Sequence, residues 1–173
     1  MTDSERLLAS VEIQQLAHRY AVALDARDLD ALVALFVPDV RVGRERSGPD
    51  ALRADFDRQL RSIGVSFLQV GNHVVDFEDA SHARGIVYTR AEIQEGGRES
   101  TRWIVQLIQY HDRYEKRGAR WLFARRKHLL VYGAELGQNP VGLPPAEWPQ
   151  SQTGWGTVPE SLPSWQRFWS GEK

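Results

Sequence analysis

The sequence of 173 residues contains no cysteine, which excludes a disulfide framework and thiolate metal ligands. No apolar run approaches the ~20 residues that cross a bilayer, and the first residues are polar and acidic, unlike a signal peptide. A net charge of −1 provides no overall attraction to nucleic acid or to acidic membranes. We therefore expect a cytoplasmic protein with no nucleic-acid or membrane partner.

Cofactor and metal motifs are missing as well. The chain has no glycine-rich phosphate-binding loop, so we predict no nucleotide cofactor. His73, His111 and His128 could lie on neighbouring strands, but no His-x-His or His-Glu-x-x-His spacing supports a metal site, and we predict none. The basic stretch 113–127 resembles the exposed side of a hairpin, and we interpret it as solvated surface.

Apolar spacing predicts helices first and strands afterwards. Residues 4–26 have helical periodicity, Asp28 caps a second short helix that ends at Pro38, and residues 47–64 form a third. A short strand is predicted at 39–46 and longer ones at 66–77, 82–95, 99–115 and 120–133, with turns between them. Helices followed by an antiparallel meander indicate the α+β class.

The tail from residue 135 differs in composition. It holds six of the eight prolines and four of the six tryptophans, Trp148, Trp155, Trp165 and Trp169. Proline alone would suggest disorder, but large aromatic side chains gain much from burial. We predict one domain over 1–134 and an irregular ordered arm over 135–173, which packs on that domain or on a neighbouring subunit.

Three residues are candidates for catalysis. Asp25 ends the first helix, where the negative end of the helix dipole disfavours a carboxylate. His73 interrupts an apolar strand and shares parity with Val75 and Phe77, so its ring should face inward. Tyr20 lies on the inner side of the first helix and could polarise a carbonyl. Each also has an ordinary structural explanation: a loop aspartate, a buried histidine bonded to a carbonyl, and a core tyrosine.

Several segments together resemble the SnoaL-like branch of the nuclear transport factor 2-like superfamily over residues 5–134. They are Ile13 to Asp25, Asp28 to Phe36, Asn72-His73-Val74, and the hairpin from Tyr110 to Arg125. The resemblance implies a cone-shaped α+β barrel, in which a curved, mostly antiparallel sheet wraps around three N-terminal helices and a ligand pocket opens at the mouth. This fold hosts many unrelated activities, so it does not by itself fix a function.

Within that family, Asp25 and His73 look like the dyad of scytalone dehydratase, bile-acid dehydratases and hexachlorocyclohexane dehydrochlorinase. The resemblance implies that Asp25 orients His73, that His73 removes a proton, and that Tyr20, which matches the dehydratases, assists the loss of water. A fourth polar group of the dehydratases has no obvious match on strand 82–95. Tyr88, Arg90 and Glu92 share one face of that strand and are candidates. Tyr88 and Glu92, with His128, form the predicted substrate-binding set.

The prediction from sequence is therefore a cofactor-independent, dehydratase-like lyase for a mid-sized apolar or polycyclic substrate. A ketosteroid-isomerase-like isomerase or a cyclase would need the same base without a leaving group. A non-catalytic ligand-binding or assembly subunit is the alternative from another class. The fold also implies a homodimer or homotrimer, and we expect either Trp103 or Ile104, whichever faces outward, in its interface.

Overall fold

The computed structural model describes residues 1–147, 150 and 153–171 of the chain. Helix α1 spans Asp3–Asp25, and its first turn is closed by reciprocal hydrogen bonds between Thr2 and Glu5. Helix α2 spans Leu29–Val33 with Asp28 as its cap, and helix α3 spans Pro49–Arg61. Between these two helices, strands β1 (Arg41–Val42) and β2 (Arg46–Ser47) form a small hairpin.

Four long strands follow. They are β3 (Ile63–Phe77), β4 (His82–Glu95), β5 (Arg102–Arg117) and β6 (Arg120–Glu135), and they form one antiparallel sheet in the order β3-β4-β5-β6. The predicted α+β class with a curved antiparallel sheet is confirmed, but the sheet is not closed into a barrel, because β3 and β6 are both edge strands. The main core lies between the inner face of this sheet and helices α1 and α2.

The sheet has four register shifts, and two of them, both β-bulges, decide which of the candidate site residues face that core. In β3, the register shifts between Val70 and His73, so the inward side chains are even-numbered before the bulge and odd-numbered after it. In β6, Phe123 pairs with Tyr114 but Arg125 pairs with Arg113, which leaves Ala124 as the extra residue. Because of this shift, Arg126 rather than Arg125 faces inward, directly opposite Asp112.

The described part of the C-terminal arm packs on the chain's own domain. Helix α4 spans Pro163–Ser170 and buries Trp165 and Phe168, while a 3₁₀ turn spans Pro140–Gly142. The sequence predicted an irregular arm and missed α4, although Pro163 at its first position and Gly171 just beyond its end are ordinary helix signals. Trp148, one of the four tail tryptophans, lies outside the described residues.

The interface expected at Trp103 or Ile104 stays a prediction. Trp103 faces the outer side of the sheet, where its ring nitrogen donates to Glu92, but both side chains are covered within this single chain. Their exposed fractions are only 4% and 8%. Trp103 belongs to a second apolar cluster with Val65 and Trp165, and its ring contacts Trp155 edge-on at 6.3 Å between centroids. The arm therefore covers the outer side of the sheet at Trp103.

Among the described residues, no helix is long and apolar enough to cross a membrane.

Candidate functional site

A cavity of about 1050 Å³ opens between the helices and the inner face of the sheet. That volume is at the upper end of the range for small-molecule sites. Helix α1, helix α3 and the β1–β2 hairpin contribute both apolar and polar side chains, the polar ones including Arg41, Asp55 and Gln59. Strands β5 and β6 contribute a second polar group, which includes Tyr110, Arg126 and His128. The apolar lining includes Leu24, Phe36, Val40, Leu52, Phe56, Leu60, Ile63, Leu68, Ile93 and Ile108.

Three side chains form a donor cluster on one wall of this cavity: Tyr20 from α1, Tyr110 from β5 and Arg126 from β6. The guanidinium carbon of Arg126 lies 4.3 Å from the ring centroid of Tyr20 and 4.1 Å from that of Tyr110. Burial raises the pKa of both phenols, which keeps them protonated and able to donate. Neither hydroxyl has a hydrogen-bond partner within the described part of the chain.

Arg126 is buried together with a counter-ion. Its side chain is 4% exposed, that of Asp112 is 0% exposed, and Arg126 Nη2 lies 3.1 Å from Asp112 Oδ2. Nε and Nη1 of Arg126 have no partner among the described residues. A buried guanidinium with unused donors costs free energy unless something else satisfies them. Because Arg126 lines the cavity beside the two phenols, its charge makes the donor cluster suited to a ligand oxygen that carries or develops negative charge.

His128 lines the same cavity and lies opposite Tyr110 in the β5–β6 ladder. The two rings contact edge-on at 5.5 Å between centroids. Partial burial lowers the pKa of His128, so the imidazole is neutral at pH 7 and can accept a proton. The prediction that His128 belongs to the substrate site remains a prediction, and its position in the lining supports it.

Asp25 lies behind the cavity lining and binds the start of β3. Its carboxylate accepts hydrogen bonds from Ser66 Oγ (2.9 Å) and from the Leu68 backbone N–H (2.8 Å). Ser66 and Leu68 both line the cavity. Burial raises the pKa of Asp25 to about 6, and its hydrogen bonds and nearby Arg27 oppose that rise.

His73 faces the interior, as its parity predicted, but it is not in the cavity lining. Its Nε2 lies 2.9 Å from the hydroxyl of Tyr114, and its Nδ1 is buried without a partner among the described residues. Burial, with nearby Arg126 and His18, lowers the pKa of His73 to about 4. The imidazole is thus neutral, but its free lone pair has no route to a substrate in the cavity.

The structure does not bring Asp25 and His73 together as a dyad, which corrects the central expectation from the sequence. Leu68, which is bonded to Asp25, pairs with Ala91, whereas His73 pairs with Val87. Four residues of β4 separate these positions, or roughly 13 Å at about 3.3 Å per residue. Sequence parity gives the face of a strand residue, but not how far along the strand a helix end meets it.

Tyr88 and Glu92, predicted to bind substrate, are not among the residues that line this cavity. On β4 the inward residues are Val87, Thr89, Ala91 and Ile93, so Tyr88 and Glu92 are on the outer face of the sheet. Tyr88 is 49% exposed. Glu92 accepts a hydrogen bond from Trp103 Nε1 (3.2 Å) and pairs with Arg90.

Sequence reasoning missed Tyr110, Asp112, Tyr114 and Arg126. The sequence did contain a signal for them. Tyr110, Asp112 and Tyr114 are at alternate positions before the hairpin turn, and Arg126 follows after the turn. Without the bulge at Ala124, however, Asp112 would pair with Arg125, and the interpretation of 113–127 as solvated surface concealed the buried arginine. Within residues 1–147, 150 and 153–171, no three His, Asp or Glu side chains are grouped as a metal site requires.

Solved structures similar to this one share its fold at low sequence identity. One is a candidate scytalone dehydratase from Novosphingobium aromaticivorans, at 20% identity, with a TM-score of 0.67, covering 82% of this chain and 98% of the other. Another is the hexachlorocyclohexane dehydrochlorinase LinA-type3 from Novosphingobium barchaimii, at 20% identity and a TM-score of 0.68, covering 79% and 95%. Such identities establish the fold alone.

A protein of unknown function from Mycobacterium tuberculosis, Rv3472, is also similar, at 19% identity and a TM-score of 0.62, covering 73% of this chain and 74% of the other. No protein of curated function matches the sequence. The model of the SnoaL-like domain matches residues 5–127, which is well over half of the chain. Together with the helices, the open sheet and the cavity between them, this match shows that the chain belongs to the SnoaL-like family.

Proposed function

We propose that this protein is a cofactor-independent lyase that eliminates water from a mid-sized apolar substrate bearing a carbonyl group. The observation that carries the proposal is the donor cluster of Tyr20, Tyr110 and Arg126 in the wall of a mainly apolar cavity. Preorganised donors of this kind stabilise an oxyanion most strongly where water is excluded. The presence of a candidate scytalone dehydratase and a hexachlorocyclohexane dehydrochlorinase among proteins of the same fold supports this class of reaction.

The chemistry needs only side chains of the cavity. Neutral His128 takes a proton from the carbon next to the carbonyl, and the electron pair moves onto the carbonyl oxygen. Tyr20 and Arg126 stabilise the enolate that forms. The enolate then reforms its carbonyl and expels the β-hydroxyl group, which leaves as water with the proton from the His128 imidazolium. The product is a conjugated enone, and every proton is accounted for.

Asp25 has a supporting part in this scheme. Its bonds to Ser66 and Leu68 join the end of α1 to the strand that forms one side of the cavity. His73, the base expected from the family resemblance, is replaced in the proposal by His128, because His128 is the histidine that lines the cavity.

A non-catalytic ligand-binding role is the second candidate, and one observation favours it. The side chain beside Asp25 in the cavity wall is Leu68, which cannot transfer a proton. A binding protein would use the donor cluster to hold a ligand oxygen without turnover. An isomerase or cyclase would use the same cluster and base with no leaving group.

The test is a turnover assay with aromatic and polycyclic β-hydroxy ketones, following the absorbance of the conjugated enone. We expect Tyr20→Phe and His128→Gln to lower kcat by about 100-fold or more, because each removes an acid–base or oxyanion contribution. We also expect kcat/KM to fall as the pH decreases through a pKa below 6.5, since protonated His128 is not a base.

The matched control is His111→Gln. His111 is an exposed histidine on β5, the strand next to that of His128, and it is bonded to Gln109 on its own strand. The turnover of this variant should equal that of the wild type. Full activity in His128→Gln would refute the assigned base. Binding of the ketones in the cavity without turnover of any would favour the binding-protein role, and turnover without loss of water would favour the isomerase.

A further inference from the structure

Three hydrogen-bonding contacts join His73 to Arg126 through the interior of the domain. His73 Nε2 lies 2.9 Å from Tyr114 Oη, Tyr114 Oη lies 2.9 Å from Asp112 Oδ2, and Asp112 Oδ2 lies 3.1 Å from Arg126 Nη2. The four residues come from β3, β5 and β6, and only Arg126 lines the cavity. The chain of contacts therefore connects the cavity wall to a region in which no substrate is expected.

The donors and acceptors of these three contacts can be assigned from the chemistry of the side chains. An ionised carboxylate only accepts, so the single hydroxyl proton of Tyr114 is donated to Asp112. The Tyr114 oxygen then accepts from His73, which must carry its proton on Nε2. Arg126 Nη2 donates to Asp112 from the other side. Every donor in the chain thus points toward Asp112, which is the acceptor at its centre.

The packing leaves this arrangement little freedom. Asp112 pairs with Gly85 on β4, and a Cβ atom at Gly85 would lie 3.0 Å from Tyr114 Cε2 and 3.2 Å from its hydroxyl. The absence of a side chain at Gly85 is what lets the Tyr114 ring lie across the strand. On the far side of Arg126, the rings of Tyr20, Tyr110 and Phe123 enclose the guanidinium within 4.1–4.6 Å.

Asp112 is the only carboxylate that pairs with Arg126 in the described part of the chain. A buried guanidinium without a counter-ion would be strongly unfavourable and would move toward water. The three rings attract the cation but have no directional hydrogen bond that fixes the plane of the guanidinium. The orientation of the unused Nε and Nη1 donors therefore depends on Asp112.

We propose that Asp112 is the positioning residue of the candidate site, which fixes Arg126 against Tyr20 and Tyr110, and that Tyr114 and His73 hold Asp112 in place. The placement of Arg126 by Asp112 follows from the contacts alone. Its consequence for catalysis rests on the proposed function, since it assumes that Arg126 stabilises an oxyanion. His73 then has a role in the site without touching the substrate.

The experiment measures the geometry of Arg126 directly and needs no substrate. In a ¹⁵N-labelled sample, the Nε–Hε signal of Arg126 is assigned by its absence in Arg126→Lys. Because three aromatic rings surround this group, the signal should be displaced by ring currents and should exchange slowly with water. We expect Asp112→Asn and Tyr114→Phe to move it toward the position of exposed arginines.

His73 provides a paired comparison. His73→Gln keeps an N–H donor that can reach the Tyr114 oxygen, whereas His73→Leu has none. We expect the glutamine variant to retain the Arg126 signal and the leucine variant to lose its displacement. A merely structural role for His73 would affect the two variants alike.

Circular dichroism identifies the variants that remain folded. If Asp112→Asn unfolds, Tyr114→Phe decides, because it removes one hydroxyl group only. An unchanged Arg126 signal in the folded Tyr114→Phe and Asp112→Asn variants would overturn the proposal. With a substrate in hand, a misplaced Arg126 should lower kcat by about 100-fold with little change in KM. A displaced signal in a protein that turns nothing over would refute the proposed function and leave the positioning role intact.

Discussion

The His73 imidazole shows how one residue can match a family pattern and still be used differently. Its Nε2 proton is donated to Tyr114, and its Nδ1 lone pair is enclosed by protein. A histidine in this state cannot serve as a base toward the cavity, but it can stabilise the fold as a neutral donor. The residue type and its inward face could be predicted from the sequence. Its partner could not, because Tyr114 lies 41 residues away and two strands distant.

The acid stability of the protein should therefore depend on His73. In the unfolded chain its pKa is near 6.5, and burial lowers the pKa to about 4 in the folded protein. Between these values the unfolded state binds more protons, so stability is complete above about pH 6.5 and is lost as the pH falls toward 4. Allowing for partial exposure and screening, we expect about 1–2 kcal/mol of this loss to disappear in His73→Gln.

Urea unfolding of the two proteins at about pH 7.5 and pH 4.5 measures this difference. Asp25, whose pKa is raised to about 6, has the opposite sign and stabilises the folded state as the pH falls through that value. Its contribution is common to both proteins and cancels. Equal acid losses in wild type and variant would show that His73 titrates as if it were exposed.

At the scale of the elements, the bulges separate what the sequence could predict from what it could not. Strand positions and the α+β class follow from alternation and turn residues. A bulge, however, moves every later side chain to the other face, and it has no reliable sequence signal. The bulge in β3 lies between Leu68, which is bonded to Asp25, and His73. The bulge at Ala124 turns Arg126 inward. The cavity therefore consists partly of residues that simple alternation assigns elsewhere.

Gly85 is the strand position that should tolerate a side chain least. A Cβ atom there would lie 2.7 Å from the Val74 carbonyl oxygen and 3.0 Å from the Tyr114 ring. We expect Gly85→Ala to cost about 1–3 kcal/mol, as overpacking of a core does. Gly133→Ala is the matched control, because its Cβ would have only ordinary contacts, the nearest at 3.6 Å. Thermal unfolding compares the two variants, and equal midpoints would contradict the close packing inferred for Tyr114.

At the scale of the whole molecule, the arm is joined to the cavity wall through Arg27. The guanidinium of Arg27 lies 4.8 Å from the Trp165 ring centroid and donates to Ser66 Oγ at 2.9 Å. Ser66 in turn donates to Asp25. Ser164 Oγ adds a hydrogen bond to the Ala26 carbonyl (2.8 Å), at the end of α1. Residues 128–173 lie outside the region matched by the family model, so this support comes from beyond it.

Removal of the Trp165 ring should release the arm and loosen this wall. Truncation of a buried tryptophan to alanine costs about 3–5 kcal/mol, so we expect Trp165→Ala to expose residues 140–171 to proteases at a rate well above that of the wild type. Arg167→Ala, an exposed change on the same helix, serves as the control and should leave the digestion rate unchanged. Wild-type resistance in Trp165→Ala would mean that α4 is held by other contacts.

The contact between Asp25 and Leu68 also bears on how this chain could change its chemistry. Residue 68 is bonded to the carboxylate through its backbone, and its side chain faces the cavity. A histidine there would put an imidazole beside Asp25 and in reach of a bound molecule, and leucine and histidine codons can differ by a single nucleotide. We expect Leu68→His to gain proton-transfer activity toward the β-hydroxy ketones, measured by enone absorbance, and Leu68→Gln to gain none. An Asp–His dyad is in this sense one mutational step away from the present sequence.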